Sequence, residues 1–208
     1  MKIFFAFILI FTFSNLKSQD AYKEEIMNYI LKYKRELVRD THSPITRADL
    51  QYIDFFDPDP AYRVKCKITK LKDRKFIDFA TSSGKKRKYR KYAMLTCPLK
   101  DTVITIYAYE SKRLLESEQY KDYIFLPFSD LTNDESTYGG GRYIDLNRKD
   151  FAGDSIVIDF NKAYNPYCAY SYGYSCAVPP VENFIEMEIK AGEKKFKSKK
   201  KHKHHKGR

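Results

Sequence analysis

The chain has no tryptophan and only four histidines, and three of those (His202, His204 and His205) fall in the last seven residues. The body keeps His42 alone. A Ser-His-Asp or Cys-His nucleophile would therefore depend on one residue, and a histidine-rich zinc site has no ligands to draw on. Acids are missing from both ends. Residues 1–19 hold Lys2 and Lys17 without an acid, and residues 194–208 hold eight lysines and one arginine without an acid. The two ends carry +11 of the net charge of +12, which leaves +1 for residues 20–193. The folded part is close to neutral and the basic character belongs to a tail. Nothing points to a groove-reading domain, so no specific nucleic-acid partner is expected.

Long apolar runs are also lacking. The longest, Ile3–Phe13, has 11 residues and follows a single lysine, Lys2. It is too short to span a bilayer comfortably, and with the small Ser18 after it the segment has the pattern of a secretory signal peptide. Cleavage is expected after Ser18, with Leu16 and Ser18 at the recognition positions. No cysteine follows the run, which argues against a bacterial lipid anchor. The expectation is an exported protein, periplasmic or secreted, with no transmembrane segment after processing.

What the chain has in quantity is tyrosine and phenylalanine, 18 and 15 residues. Such β-prone aromatics favour a sheet-rich core. Residues 20–41 read as a helix: Ile26, Ile30, Tyr33 and Leu37 recur at helical spacing, Glu24 and Glu25 sit in the first turn, and Pro44 ends the pattern. Thr46 and Asp49 suit a capping box for a short second helix, Arg47–Tyr52. After DFFDPDP (Asp54–Pro60) the period changes to two. Val64, Cys66 and Ile68 alternate with Arg63, Lys65 and Lys67. Further strands are expected at 75–80, 89–96, 102–109, 123–127, 143–146, 155–160 and 184–190. In the last, Ile185, Met187 and Ile189 share one face. The linkers are too short for crossover helices, so the fold class is mainly β: an antiparallel sandwich or open barrel with an N-terminal amphipathic helix. The expected organisation is a signal peptide at 1–18, the helix at 19–45, a β-rich domain at 46–193 and a basic disordered tail at 194–208. GKKRKYRK (Gly84–Lys91) reads as a basic hairpin or loop.

From Phe125 onward the wording becomes specific: FLPFSDLTNDESTYGGGRYIDL, then IVIDFNKAYNPYCAYSYGYSCAVPPVENFIEMEIKAGEKKF. Its signature runs F-x-D-x-T, T-Y-x-x-G-R-x-x-D, D-F-N-x-A-x-N-P-x-C-A, P-P-x-E-N and A-G-E-K. This resembles a bacterial family known as domain of unknown function 1684, in its short secreted branch. Ala177 stands where that pattern usually has proline. The resemblance implies a β-rich fold and brings no activity with it.

Within these words, Asp159 and Asn161 lie two apart at a strand end, and Asn165 follows one turn later. Glu182 and Asn183 follow the stiff Pro179–Pro180 pair. Arg142 follows three glycines, with Tyr138, Asp130 and Asp145 around the turn. One reading gathers Tyr138, Arg142, Asp159, Asn161, Asn165, Glu182 and Asn183 into a polar pocket. Arg142 would clamp an anion there, and Asp159 or Glu182 would serve as general base. The other reading has Asp and Asn tying down loop backbone, with Arg142 paired to Asp145 or Asp159. GGGR lacks the Lys-Ser/Thr ending and the strand-to-helix context of a phosphate loop. Asp159, Asn161 and Asn165 offer oxygen to a calcium ion but lack calcium-loop spacing, so no metal and no cofactor is expected.

The four cysteines, Cys66, Cys97, Cys168 and Cys176, allow three pairings in an exported protein. Cys168 and Cys176 share one motif, and bridging them closes a small loop. Cys66 and Cys97 either pair across strands or stay as small buried apolar residues. The functional expectation is a binding or structural β module of the cell envelope, with a small polar or carbohydrate ligand. The alternative is an envelope hydrolase. The tail would contact an anionic glycan or lipid, or stay solvated. Intact-mass measurement of the secreted protein should give a chain beginning at Gln19; a mass that retains residues 1–18 would refute the export signal.

Overall fold

The structure, a computed structural model, describes residues 3–72, 75–198 and 202–203, with side chains described for 19–72 and 75–198. The expected signal segment and the Lys/His stretch beyond Ser198 lie outside the described side chains. Helix α1 (Ile3–Arg39) carries the expected amphipathic pattern: Ile26, Ile30 and Leu37 are buried, while Met27 and Leu31 face outward. The chain leaves it at Asp40 and enters a 3₁₀ turn, Arg47–Tyr52. The capping box is present, with the Asp49 carboxylate accepting from the Thr46 N–H at 2.8 Å and its hydroxyl at 2.6 Å.

Seven strands then follow in turn. They are β1 (Arg63–Lys70), β2 (Ile77–Ala80), β3 (Lys86–Leu99), β4 (Thr102–Ser111), β5 (Tyr123–Asp130), β6 (Arg142–Asn147) and β7 (Ser155–Asp159), with a single helical turn α2 (Lys112–Leu115) after β4. They form one antiparallel sheet in the order β6-β5-β4-β3-β1-β7, with β2 paired to the start of β3. The sheet curls into a half-barrel. Its inner face collects Val64, Cys66 and Ile68 with Leu95, Leu99, Ile106, Ile124, Leu126, Phe128, Ile144, Ile156 and Ile158. Burying each such side chain is worth about 1.5–3 kcal/mol. Alternation sends the intervening residues to the opposite face. The basic segment is a hairpin: Gly84 turns it at φ +75°, Asp78 neutralises Lys88 at 2.8 Å, and Arg90 reaches the buried Glu110 at 2.7 Å.

The last expected strand is only partly a strand. Residues 184–190 keep the expected faces, with Ile185 and Ile189 buried and Met187 half-buried. Only β9 (Phe184–Ile185) pairs, and it runs parallel to β5. Beyond it, side chains replace a neighbouring strand. Arg142 donates to the Ile189 carbonyl at 2.9 Å and to the Ala191 carbonyl, and Asp130 accepts from the Ile189 N–H at 3.2 Å.

The start of the tail also departs from expectation. Lys194, Lys195 and Lys197 donate backbone N–H groups to the carbonyls of Asp54, Ser136 and Tyr52. Phe196 packs edge-on against Tyr170 and Tyr52. An apolar anchor among lysines seats these residues, so a disordered reading does not apply to 194–197. Farther on, the backbone of His202–Lys203 (β10) pairs with Ser171–Tyr172 (β8).

Both cysteine pairs are bridged. Cys66–Cys97 staples β1 to β3 with 4.2 Å between Cα atoms, and Cys168–Cys176 closes the loop after β7. Replacing Cys66 and Cys97 together by alanine should lower unfolding free energy by about 3.5 kcal/mol in urea titration, from the loop entropy released. Equal midpoints for the two proteins would refute it.

Candidate functional site

The residues nominated from sequence do not meet in one pocket. Arg142 is wholly buried. Its guanidinium pairs with Asp130 at 2.8 Å, sits over the Phe128 ring at 5.1 Å and binds the two carbonyls already named. Gly141 makes this placement possible: its φ is +80°, and a Cβ there would meet the Phe128 carbonyl at 2.7 Å. Arg142 therefore has no free face for an anion, and its partner is Asp130 rather than Asp145 or Asp159. Asn183 is buried where β4 and β5 separate. Its amide accepts from the Tyr107 N–H and donates to the Tyr107 and Pro127 carbonyls, substituting for ladder bonds. Glu182 lies on the exposed side, held by Lys91 at 3.1 Å and Tyr109 at 3.1 Å. Tyr138 is half-buried in the cluster beneath α1.

Asp159 and Asn161 do come together. The Asp159 carboxylate accepts from the Tyr22 hydroxyl at 3.0 Å, and from the Asn161 N–H at 3.1 Å and its side-chain amide at 3.0 Å. Asn161 also clasps Asp59 through both its N–H and its carbonyl. This knot ties α1, the segment before β1 and the exit of β7. Asn165 donates through its N–H to Glu193 and through its amide to the Lys194 carbonyl. Its Oδ1 is buried and accepts no bond among the described residues.

The concave site lies on the outer face of the sheet, and of the nominated residues only Asp159 and Asn165 line it. A cavity of about 970 Å³ opens between that face, helix α1 and the loop 162–177. Among the described residues nine tyrosines line it. Register explains the floor. Phe125 on β5 faces Asp145 on β6, so Tyr123, Phe125, Tyr143 and Asp145 project together while Ile124 and Ile144 enter the core. Tyr164 joins the edge through paired backbone bonds with Tyr143, both 3.0 Å. The roof is Tyr29 and Tyr33 from α1, and the loop adds Tyr167 and Tyr174.

Asp145 is the chemical centre. Tyr123 and Tyr164 both donate to its Oδ1 at 2.6 Å. Among the described residues nothing donates to its Oδ2. Asp145 is exposed to the cavity, while the protein crowded around its other sides pushes its pKa above the usual carboxylate value, with the two hydroxyls opposing. Burial and the charge of Asp145 in turn hold Tyr123 and Tyr164 well above the ordinary tyrosine value, so both remain donors.

A second buried carboxylate lies behind the roof. Glu193, wholly buried, accepts from Tyr170 at 2.7 Å, from Tyr33 at 3.1 Å and from the Asn165 N–H at 2.9 Å. Burial pushes its pKa up to about 7 against these donors. The preceding Gly192, at φ +78°, is confined between the Phe160 and Ala163 carbonyls, where a Cβ would fall within 2.7 Å of each.

In the sequence Asp145 figures only beside the glycine turn and as one candidate partner of Arg142, and neither Tyr123 nor Tyr164 stands out. The signal was present: Tyr143, Ile144, Asp145 and Leu146 alternate, and the charged member falls on an aromatic face.

A model of the family described as protein of unknown function (DUF1684) matches residues 48–194. The solution NMR structure of an uncharacterised protein from Haloarcula marismortui is similar, with 30% identity and a TM-score of 0.65. The likeness covers 86% of this chain and 96% of that one. No curated protein matches the chain.

The raised Glu193 pKa has a measurable consequence. The folded state holds this proton more tightly than the unfolded state, so its stabilisation is complete below about pH 4.5 and is lost as pH rises through about 7. Relative to Glu193→Gln, the wild type should lose on the order of 3 kcal/mol between these limits. Parallel stability–pH curves for the two proteins would contradict the assignment.

Proposed function

We propose, since the chain belongs to the DUF1684 family and that family brings no activity with it, a function read from the site: an exported cell-envelope module that binds a small polar ligand of carbohydrate type in the tyrosine-lined cavity. The cavity carries the proposal. Its volume of about 970 Å³ lies at the upper end of what small-molecule sites occupy. The part-exposed rings of Tyr29, Tyr33, Tyr123 and Tyr164 offer apolar surface to a sugar, and the Asp145 Oδ2 offers an unused acceptor to its hydroxyls. Two disulfides and the signal-like N-terminus support export. No helix among the described residues is long and apolar enough to cross a membrane.

One observation favours a second reading, an envelope hydrolase. Asp145 combines a raised pKa with a concave space beside it, the environment of a general base. Its base would then be Asp145. Glu182 stands outside the cavity, Asp159 is engaged in its knot, and Arg142 is closed to an anion.

With no tryptophan, and with nine of the 18 tyrosines lining the cavity, tyrosine fluorescence responds to its occupation. Titration with mono- and disaccharides should give saturable quenching, and Asp145→Asn should weaken it by about tenfold without lowering Tm. Absence of any saccharide-dependent change would overturn the carbohydrate reading. Release of a new reducing end during the titration would favour the hydrolase.

A further inference from the structure

Three of the four acids around the cavity have a basic side chain within 4 Å, and one has none among the described residues. Four acidic residues line it: Glu36, Asp40, Asp145 and Asp159. Glu36 faces Lys32 at 3.7 Å, Asp40 takes the His42 ring at 3.2 Å and the Tyr167 hydroxyl, and Asp159 has Lys162 at 4.0 Å besides its knot. The lining bases Arg63 and Lys162 are both occupied by Glu25, at 2.8 and 2.9 Å. Arg87 remains on the exposed hairpin at the mouth, beside Tyr89. Asp145 alone has no basic partner among the described residues. Its contacts are two neutral hydroxyls on one oxygen, and no described residue donates to the other.

An exposed carboxylate with one oxygen free of donors among the described residues is open to a cation from outside the chain. The fold does not supply one. It supplies instead a surround of neutral tyrosines, whose ring faces carry the negative end of the aromatic quadrupole. A cation is attracted to such faces, and more strongly once desolvated. Acceptor and ring faces together fit an ammonium group: one N–H donates to Oδ2, and the remaining charge lies against the rings.

We infer that the ligand of this cavity carries a protonated amine, and that Asp145 is the residue that binds it. Taken with the carbohydrate reading of the same cavity, on which this inference rests, the ligand class is an amino sugar with its amine free. Tyr123 and Tyr164 act as positioning residues: by saturating Oδ1 they turn Oδ2 toward the ammonium. A free amine and an N-acetylated one are separated sharply by such a site. Acetylation removes the charge and leaves Asp145 facing a neutral amide.

Three probes test this: D-glucosamine, D-glucose and N-acetyl-D-glucosamine, titrated into the full processed protein at pH 7 with tyrosine fluorescence and NMR shifts as readouts. Glucosamine should bind about tenfold or more tighter than either neutral sugar. Asp145→Asn should erase the preference, so that the variant binds glucosamine no more tightly than it binds glucose. The wild-type comparison stands without any variant, and Tyr123→Phe supplies a second one that should erode the preference in part. Equal binding of the three sugars, or tighter binding of a neutral one, overturns the amine inference and leaves the carbohydrate reading intact. Binding by none of them overturns both.

Discussion

The buried pair of Arg142 and Asp130 holds the two halves of this molecule in place. Removing two charges from water costs several kcal/mol each, and only good geometry with further hydrogen bonds recovers it. Here the recovery comes from the chain itself. The guanidinium takes the carbonyls of Ile189 and Ala191, and the carboxylate takes the N–H groups of Ile189 and Thr132. The C-terminal segment is thereby strapped across the open end of the half-barrel without forming a strand. Truncating either partner would leave the other charge buried alone, a loss of about 3–5 kcal/mol. The strap then delivers Glu193 to Tyr33 and Tyr170, so the charge pair in the core also decides where helix α1 rests.

From that placement the cavity follows. The inner face of the sheet is closed by aliphatic packing and the strap. The outer face carries rings and Asp145; Phe79 of β2 and Tyr89 of β3 pack over Tyr109 and Phe125 there and leave the Asp145 side open. Helix α1 covers it only along one side. Tyr22 bonds to Asp159, Tyr29 to the Lys162 carbonyl and Tyr33 to Glu193, three hydroxyls spaced along one helix face. The helix is thus pinned at its tyrosine tips and held off the strands by the length of those side chains. Space is left where closer packing would have filled it.

Much of this was legible in the chain. Period-two alternation placed the strands because one face is apolar throughout, and Ile26, Ile30 and Leu37 placed the helix. Cys66 and Cys97 lay on strands whose register brings them opposite, though spacing alone left their pairing open. The Arg142 pocket was not legible. A sequence cannot say whether an arginine after three glycines points outward or inward, and the partner that decides it, Asp130, lies on another strand. The segment after Phe184 looked like a strand because its faces alternate, and they do; the missing ladder is a consequence of Arg142 and Asp130 taking its backbone groups. Asp145 was hidden for a related reason. Its significance depends on Tyr123 and Tyr164, which come from a different strand and a different loop.

Helix α1 lies ahead of residues 48–194, the region that the chain shares with its family. The floor of the cavity belongs to the shared region and the roof does not. In this architecture the acid on the floor and the rings that enclose it from above come from separate segments of the chain. Exchanging the helix for one of different spacing would leave Asp145, Tyr123 and Tyr164 in register and redraw the space above them. The domain is thus a folded base with a separate cover, in which the space above Asp145 can change without disturbing the charge pair that keeps the base folded.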